Sequence, residues 1–306
     1  MKPALRDFLR MAIGALLLFG LMLLVLRNHE PTDRAGQLAF KAKRVELVER
    51  MRLALAEASE AEKSAVMAIT DKDSLTYADQ ARAAGTTVEQ ARKELADLLK
   101  TGNQNEQDLL GKFSEAFAEF QRIDKDLLDL AVKNTNLKAY TLAFGPAAAA
   151  INEMDEALAR LVTASAADPK IVRLADDARI AALRIQTFLP PHIEEESDQK
   201  MDELEAAMTK GDLKVRQSLQ ALAAMPVLSD NPDLKTAVSS YDRFSEIKAQ
   251  ILKLSRENTN VRSLSISLNQ KRNVMFQCQD ALAALQSAIE QEPVVGVPAR
   301  VPASSQ

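Results

Sequence analysis

The sequence predicts an all-α protein: an N-terminal transmembrane helix followed by two tandem up-down helical units, each four-helix-bundle-like. Three observations lead there. Glycine (9) and proline (11) are scarce among 306 residues, and the apolar 47% contains only 4% aromatic residues and no Trp. Such chains, dominated by good helix formers, read as long helices, whereas sheets need β-branched runs and turn glycines. An uncharged stretch lies near the N-terminus, and the remainder repeats itself at an offset of 124 residues.

Residues 1–10 form a short flank carrying Lys2, Arg6 and Arg10. The segment 11–26 reads MAIGALLLFGLMLLVL, bracketed by Arg10 and Arg27. As a helix it spans roughly 24 Å, slightly short of a hydrocarbon core, with both arginines able to reach the headgroups. A cleaved signal peptide is the rival reading. The stretch is long for one, and Leu-Arg-Asn-His-Glu follows where a small-x-small cleavage site belongs, which favours an anchor over 11–27. Basic residues on both sides leave orientation open on charge alone.

The repeat is centred on Asn134-Thr135-Asn136, which recurs as Asn258-Thr259-Asn260. Without a gap, Phe117, Phe120, Ile123, Leu127 and Leu130 fall on Tyr241, Phe244, Ile247, Ile251 and Leu254. Ala157-Leu158-Ala159 falls on Ala281-Leu282-Ala283. Identity is low, but the register holds across several elements, so duplication is the preferred reading.

Helical unit one, 34–166, divides into helices over 34–69, 75–100, 106–133 and 137–166. Asp71 to Ser74 offers cap residues, Gly102 suits a left-handed C′ position, and Asn105 with Asp108 suggests a capping box. Unit two, 168–292, opens on Asp168-Pro169, an N-cap with proline at N1. Its first helix is expected to end at Pro190-Pro191. The next runs over 197–225, Asn231-Pro232 opens the third, and the fourth covers 261–290. Apolar residues at three-four spacing, such as Leu110, Phe113, Phe117, Phe120, Ile123, Leu127 and Leu130, mark faces that must be buried. The same spacing continues through Asn134, so the third and fourth helices also read as one long rod. A turn at Asn-Thr-Asn and a kink at Gly145-Pro146 are preferred. Residues 293–306, PVVGVPARVPASSQ, read as a flexible tail.

The layout resembles the four-helix-bundle sensor region of bacterial methyl-accepting chemotaxis receptors. A membrane segment leads into a long helix. The stretch FAEFQRIDKDLLDLAVKNTNLKAYTLAFGPAAAAINEMDEALARL and its copy then have the Phe/Tyr-rich third helix, Asn-containing turn and Ala-rich fourth helix of that region. The chain departs from the family in having no second membrane span, HAMP linker or signalling hairpin. The resemblance implies a single-pass protein of the inner (cytoplasmic) membrane with a periplasmic helical region. It also implies a homodimer or a partner signalling protein, and a small-molecule ligand.

Chemistry-bearing groups are sparse. Net charge is −4 with both signs interleaved, unlike a nucleic-acid binder. His192 precedes Glu194, Glu195 and Glu196, but no second histidine or thiolate converges, so a solvated acidic turn is preferred to a metal site. His29 lies at the membrane boundary. The single cysteine, Cys278, reads as a small core residue. Arg122, Arg160, Arg173, Arg179 and Arg184 are possible anion ligands. The Asn-Thr-Asn segments read as turn and cap chemistry, with a ligand pocket as the alternative. No catalytic residues, cofactor or metal ligands are assigned, and no ligand-binding residue is singled out. The expected role is a membrane-anchored sensor module that is not an enzyme, with an anchored scaffold as the alternative.

Overall fold

A computed structural model describes residues 34–100 and 102–294. The proposed membrane segment 11–27, its flank 1–10 and tail residues 295–306 lie outside that range. Among the described residues there are helices and turns and no strands, and no helix is long and apolar enough to cross a membrane. The chain is all-α.

The helices are α1 (Arg34–Met67), α2 (Asp71–Leu99), α3 (Gln104–Ala131), α4 (Thr135–Leu142), α5 (Ala148–Ala164), α6 (Pro169–Glu194), α7 (Asp198–Ala223), α8 (Pro232–Glu257), α9 (Thr259–Ile266) and α10 (Arg272–Gln291). A π-turn, Ala143–Ala147, joins α4 to α5, and a second, Ser267–Lys271, joins α9 to α10. These four helices and two π-turns keep the register of the sequence repeat.

Several boundaries follow from capping. Asp168 accepts from the Lys170 and Ile171 N–H groups ahead of Pro169, and Asn231 accepts from Leu234 N–H ahead of Pro232. Others differ from the sequence reading. Thr70 Oγ1 accepts from Asp73 N–H, so α2 starts at Asp71, and 71–74 form its first turn. Asn103 caps α3 by accepting from Asn105 N–H, in place of the expected Asn105–Asp108 box. Gly102 donates to Leu99 O at 3.0 Å without entering the left-handed region. Helix α6 runs through Pro190 and Pro191 to Glu194. Each proline removes one backbone donor, but buried His192 and Ile193 anchor the final turn, and packing outweighs the lost bonds.

The described chain forms two compact lobes, neither of which coincides with 34–166 or 168–292. Lobe A comprises 34–55, Thr86–Ala116 and 277–294. Lobe B comprises Ala56–Gly85 and Phe117–Phe276. In lobe A, segments of α1, α2, α3 and α10 bury Leu47, Met51, Leu95, Phe113, Leu282 and Leu285. Cys278 is also buried there.

Lobe B has two apolar clusters. The larger unites α5, α6, α7 and α8 around Ile151, Leu158, Ile185, Leu219, Tyr241 and Phe244. The smaller gathers Ala65 and Val66 of α1, Ala78 and Ala81 of α2, and Leu127, Leu128 and Ala131 of α3, with Ile266 of α9 against them. Fully burying one such large apolar side chain stabilises by about 1.5–3 kcal/mol. Thus α5 packs with α6, α7 and α8 and does not fold back on α3. The sequence reading of a turn at Asn-Thr-Asn is correct as to place but not as to a hairpin. Val132, Lys133 and left-handed Asn134 separate α3 from α4, and the packing of α5 against α6, α7 and α8 sets the direction in which the chain continues.

Candidate functional site

The Asn-Thr-Asn segments meet each other in lobe B. Asn134 (φ 51°) and Asn258 (φ 52°) are the positive-φ non-glycine residues among those described. Asparagine tolerates this conformation best after glycine. Asn134 caps the start of α4 after the turn 132–133, and Asn258 ends α8 and starts α9, which brings Thr135 and Thr259 face to face.

The contacts are reciprocal. Thr135 N–H donates to Thr259 Oγ1 (3.2 Å), and Thr259 N–H donates to Thr135 Oγ1 (3.1 Å). The hydroxyl oxygens are 3.2 Å apart. Asn136 N–H donates to Asn260 Oδ1, and Asn260 N–H to Asn136 Oδ1, both at 3.1 Å. Asn136 Nδ2 donates to Asn258 Oδ1 (2.7 Å), and Asn260 Nδ2 to Asn134 Oδ1 (3.1 Å). The outer amides hold neighbouring turns: Asn134 Nδ2 donates to Asp71 Oδ1 and Ser74 Oγ, Asn258 Nδ2 to Glu195 O, and Asn136 Nδ2 also to Ile193 O. Asp71 and Glu195 are themselves one repeat apart. The amide bond from Asn134 holds the Asp71 carboxyl below its usual range, with Lys138 adding to the effect against desolvation. This clasp satisfies the helix-start N–H groups by pairing the two copies. Its amides are engaged by protein partners.

Beside the clasp, His192 is fully buried, which overturns the reading of a solvated acidic turn. Its Nδ1 lies 2.8 Å from Ser255 Oγ, and its Nε2 lies 2.9 Å from Glu205 Oε1. The single Ser255 proton goes to His192 O at 2.8 Å, so these contacts are all satisfied when both ring nitrogens carry protons. Arg256 also reaches Glu205 (2.7 Å) and holds its carboxyl below the ordinary range, with His192 adding to the effect against desolvation. The Ser–His–Glu line has the order of a hydrolytic triad. Ser255, however, is buried and its hydroxyl is tied to a carbonyl, so it is not placed to attack a substrate. Glu194 instead accepts from the Tyr140 hydroxyl, and Glu195 from Ser197 N–H. Among the described residues, no group of three or more His, Cys, Asp or Glu is placed to hold a metal ion.

The arginines singled out from the sequence do not converge. Arg122 pairs with Glu119 and Asp126, Arg160 with Asp233, and Arg179 with Asp155 and Asp176. Arg173 and Arg184 are exposed. Two charged clusters escaped the sequence reading. In lobe A, buried Arg44 donates to Glu106 (2.6 Å) and to Glu292, and stands 4.8 Å over the Phe40 ring. Burial raises the Glu106 carboxyl against the pull of Arg44. In lobe B, Lys271 pairs with Asp124 close to Glu62, and all three are buried. The available signal was charge within an apolar stripe: Asp124 falls between Phe120 and Leu127, and Glu62 between Ala58 and Ala65.

No protein-family model and no curated protein matches this chain.

Proposed function

We infer that the protein is a membrane-anchored helical sensor module that transmits a signal through a partner or a second copy of itself. The observation that supports this most is the buried clasp. A junction built only to stabilise would favour apolar packing, because buried polar groups give little net stability and a large penalty when unpaired. Directional bonds at two matched helix breaks instead define a junction with a specific register, the kind of element a ligand can bias between packings. The resemblance of the sequence to chemoreceptor sensor regions points the same way, with 11–27 as a single-pass inner-membrane anchor and the helical region periplasmic.

A thermal-shift screen of the 306-residue chain against amino acids, organic acids and aromatic compounds tests the reading. At least one compound is expected to raise the midpoint in a concentration-dependent way, because a ligand of the folded state must stabilise it. A flat response across the panel would count against sensing of these classes.

A second reading, an anchored scaffold, draws on exposed apolar residues. Phe144 (67% exposed) and Leu268 (57%) stand one repeat apart, and Tyr140 stacks on Phe144. Under it, Phe144→Glu and Leu268→Glu abolish capture of a binding protein while leaving the thermal midpoint unchanged.

A further inference from the structure

The internal repeat provides a built-in control for lobe B. The two copies carry the same π-turn, so a buried residue that differs between them is not needed to make that turn. Ala147 is buried among apolar neighbours one repeat before Lys271, which is buried among charges. Likewise Ala143 corresponds to Ser267, Lys248 to Asp124, and Phe244 to Phe120. One π-turn therefore faces an apolar interior, and its copy faces an acid–base cluster.

Within that cluster Asp124 and Lys271 complete each other. The ammonium meets the Asp124 carboxylate, lies 3.4 Å from Phe120 O and sits 3.2 Å from the centroid of the Phe120 ring. Glu62 is left over: it is 1% exposed, and neither carboxyl oxygen meets a protein donor in hydrogen-bond geometry. The groups facing it are the Ser267 hydroxyl and Lys271 from the π-turn, Asp124 from α3, and Lys63 from its own helix. Helix α2 contributes Ala78 and Ala81 to the adjoining core. One ammonium cannot neutralise two carboxylates, and Asp124 repels a charge on Glu62. Burial raises the Glu62 carboxyl, more than Ser267 and Lys271 lower it.

We propose that Glu62 is a proton-binding site whose ionisation, as pH rises, places an uncompensated charge beside Asp124 and Lys271 and loosens the Ser267–Lys271 π-turn. The neutral acid is tolerated in this interior, whereas the anion is costly unless water or a rearranged donor reaches it. The π-turn is the segment to yield, because it carries Ser267 and Lys271 and departs from regular helical bonding. The direction is set by linkage. The folded carboxyl holds its proton more tightly than the unfolded one, so its stabilising contribution is full below the unfolded value and lost as pH rises through the folded value. The site stands whether or not a partner reads it, so its failure would leave the sensor reading open.

The test follows the Glu62 side-chain carboxyl ¹³C shift against pH in the 306-residue chain, with Glu62→Gln identifying the signal. Its midpoint is expected clearly above the ordinary glutamate value of about 4.3. Amide exchange across 267–271, corrected for intrinsic rates, is expected to speed up by as much as about tenfold per unit of pH between the ordinary glutamate value and that midpoint in the wild type, to level off above it, and to stay flat in Glu62→Gln. Glu62→Met replaces that variant if it does not fold, and the wild-type titration needs neither. An ordinary midpoint overturns the proposal, as does exchange that is the same in wild type and variant. A midpoint driven down saturably by methylamine would also overturn it, by assigning the site to an amine cation.

Discussion

Replacing Thr135 by valine keeps the β-branched shape and removes one hydroxyl from the centre of the clasp. The Thr259 N–H then loses its acceptor in a site only 2% exposed, and the Thr259 hydroxyl loses a neighbour at 3.2 Å. An orphaned buried donor costs about 1–3 kcal/mol and a lost hydrogen bond about 1 kcal/mol, so the substitution should cost about 2–4 kcal/mol. Thr259→Val removes the mirror pair of contacts and should cost the same within about 0.5 kcal/mol, the usual tolerance for equivalent changes. In the double variant the hydroxyl–hydroxyl contact is lost once, so its cost should fall short of the sum by about 1 kcal/mol. Urea denaturation followed by circular dichroism measures all three, provided the slope against denaturant is unchanged. Single costs differing by more than about 1 kcal/mol, or strict additivity, would refute reciprocal pairing.

Glycine substitutions should split by environment. A Cβ at Gly211 would lie 2.8 Å from Ile185 Cγ1, so Gly211→Ala should destabilise by about 1–3 kcal/mol, whereas Gly85, with nothing within 4 Å, should gain about 0.5–1 kcal/mol from the same change in thermal melts. At the helix break, Asn134→Ala and Asn134→Gly both lose the amide bonds, but alanine also meets the left-handed backbone, so it should be the worse by about 1 kcal/mol in denaturant titrations. Glu205 provides an acid-side pH dependence. Arg256, with help from His192, depresses its folded carboxyl below the unfolded value, so its contribution is present above the unfolded value and lost as pH falls through the folded one. Glu205→Gln should flatten that limb of the stability–pH curve, and an unchanged limb would show that the pairing carries no stability.

The helices were legible because their signals are local: Asp168-Pro169 and Asn231-Pro232 act through caps a few residues long, and the apolar stripes name the buried faces. Their grouping was not. The spacing through Asn134 fits both a rod and a hairpin, and only the separation of Leu127–Leu128 from Ile151–Leu158 in the packed chain decides between them. His192 misled for a related reason. Its acidic neighbours in sequence point elsewhere, while Ser255 and Glu205 arrive from other helices. Glu62 and Lys271 were passed over because a charge in a helix stripe is usually solvated, and nothing local says which stripe residue is enclosed on all sides.

The paired π-turns separate backbone shape from residue identity. In Ala143–Ala147 the proline at 146 has no N–H to give and fits the widened turn. Ser267–Lys271 has Gln270 at that place and is widened all the same. The irregularity therefore does not depend on the proline, since the second segment makes the same turn with a residue that keeps its N–H. Deleting one residue to restore an ordinary turn would rotate every side chain downstream by about 100°, so the five-residue spacing of each turn sets which faces of the following helix are buried.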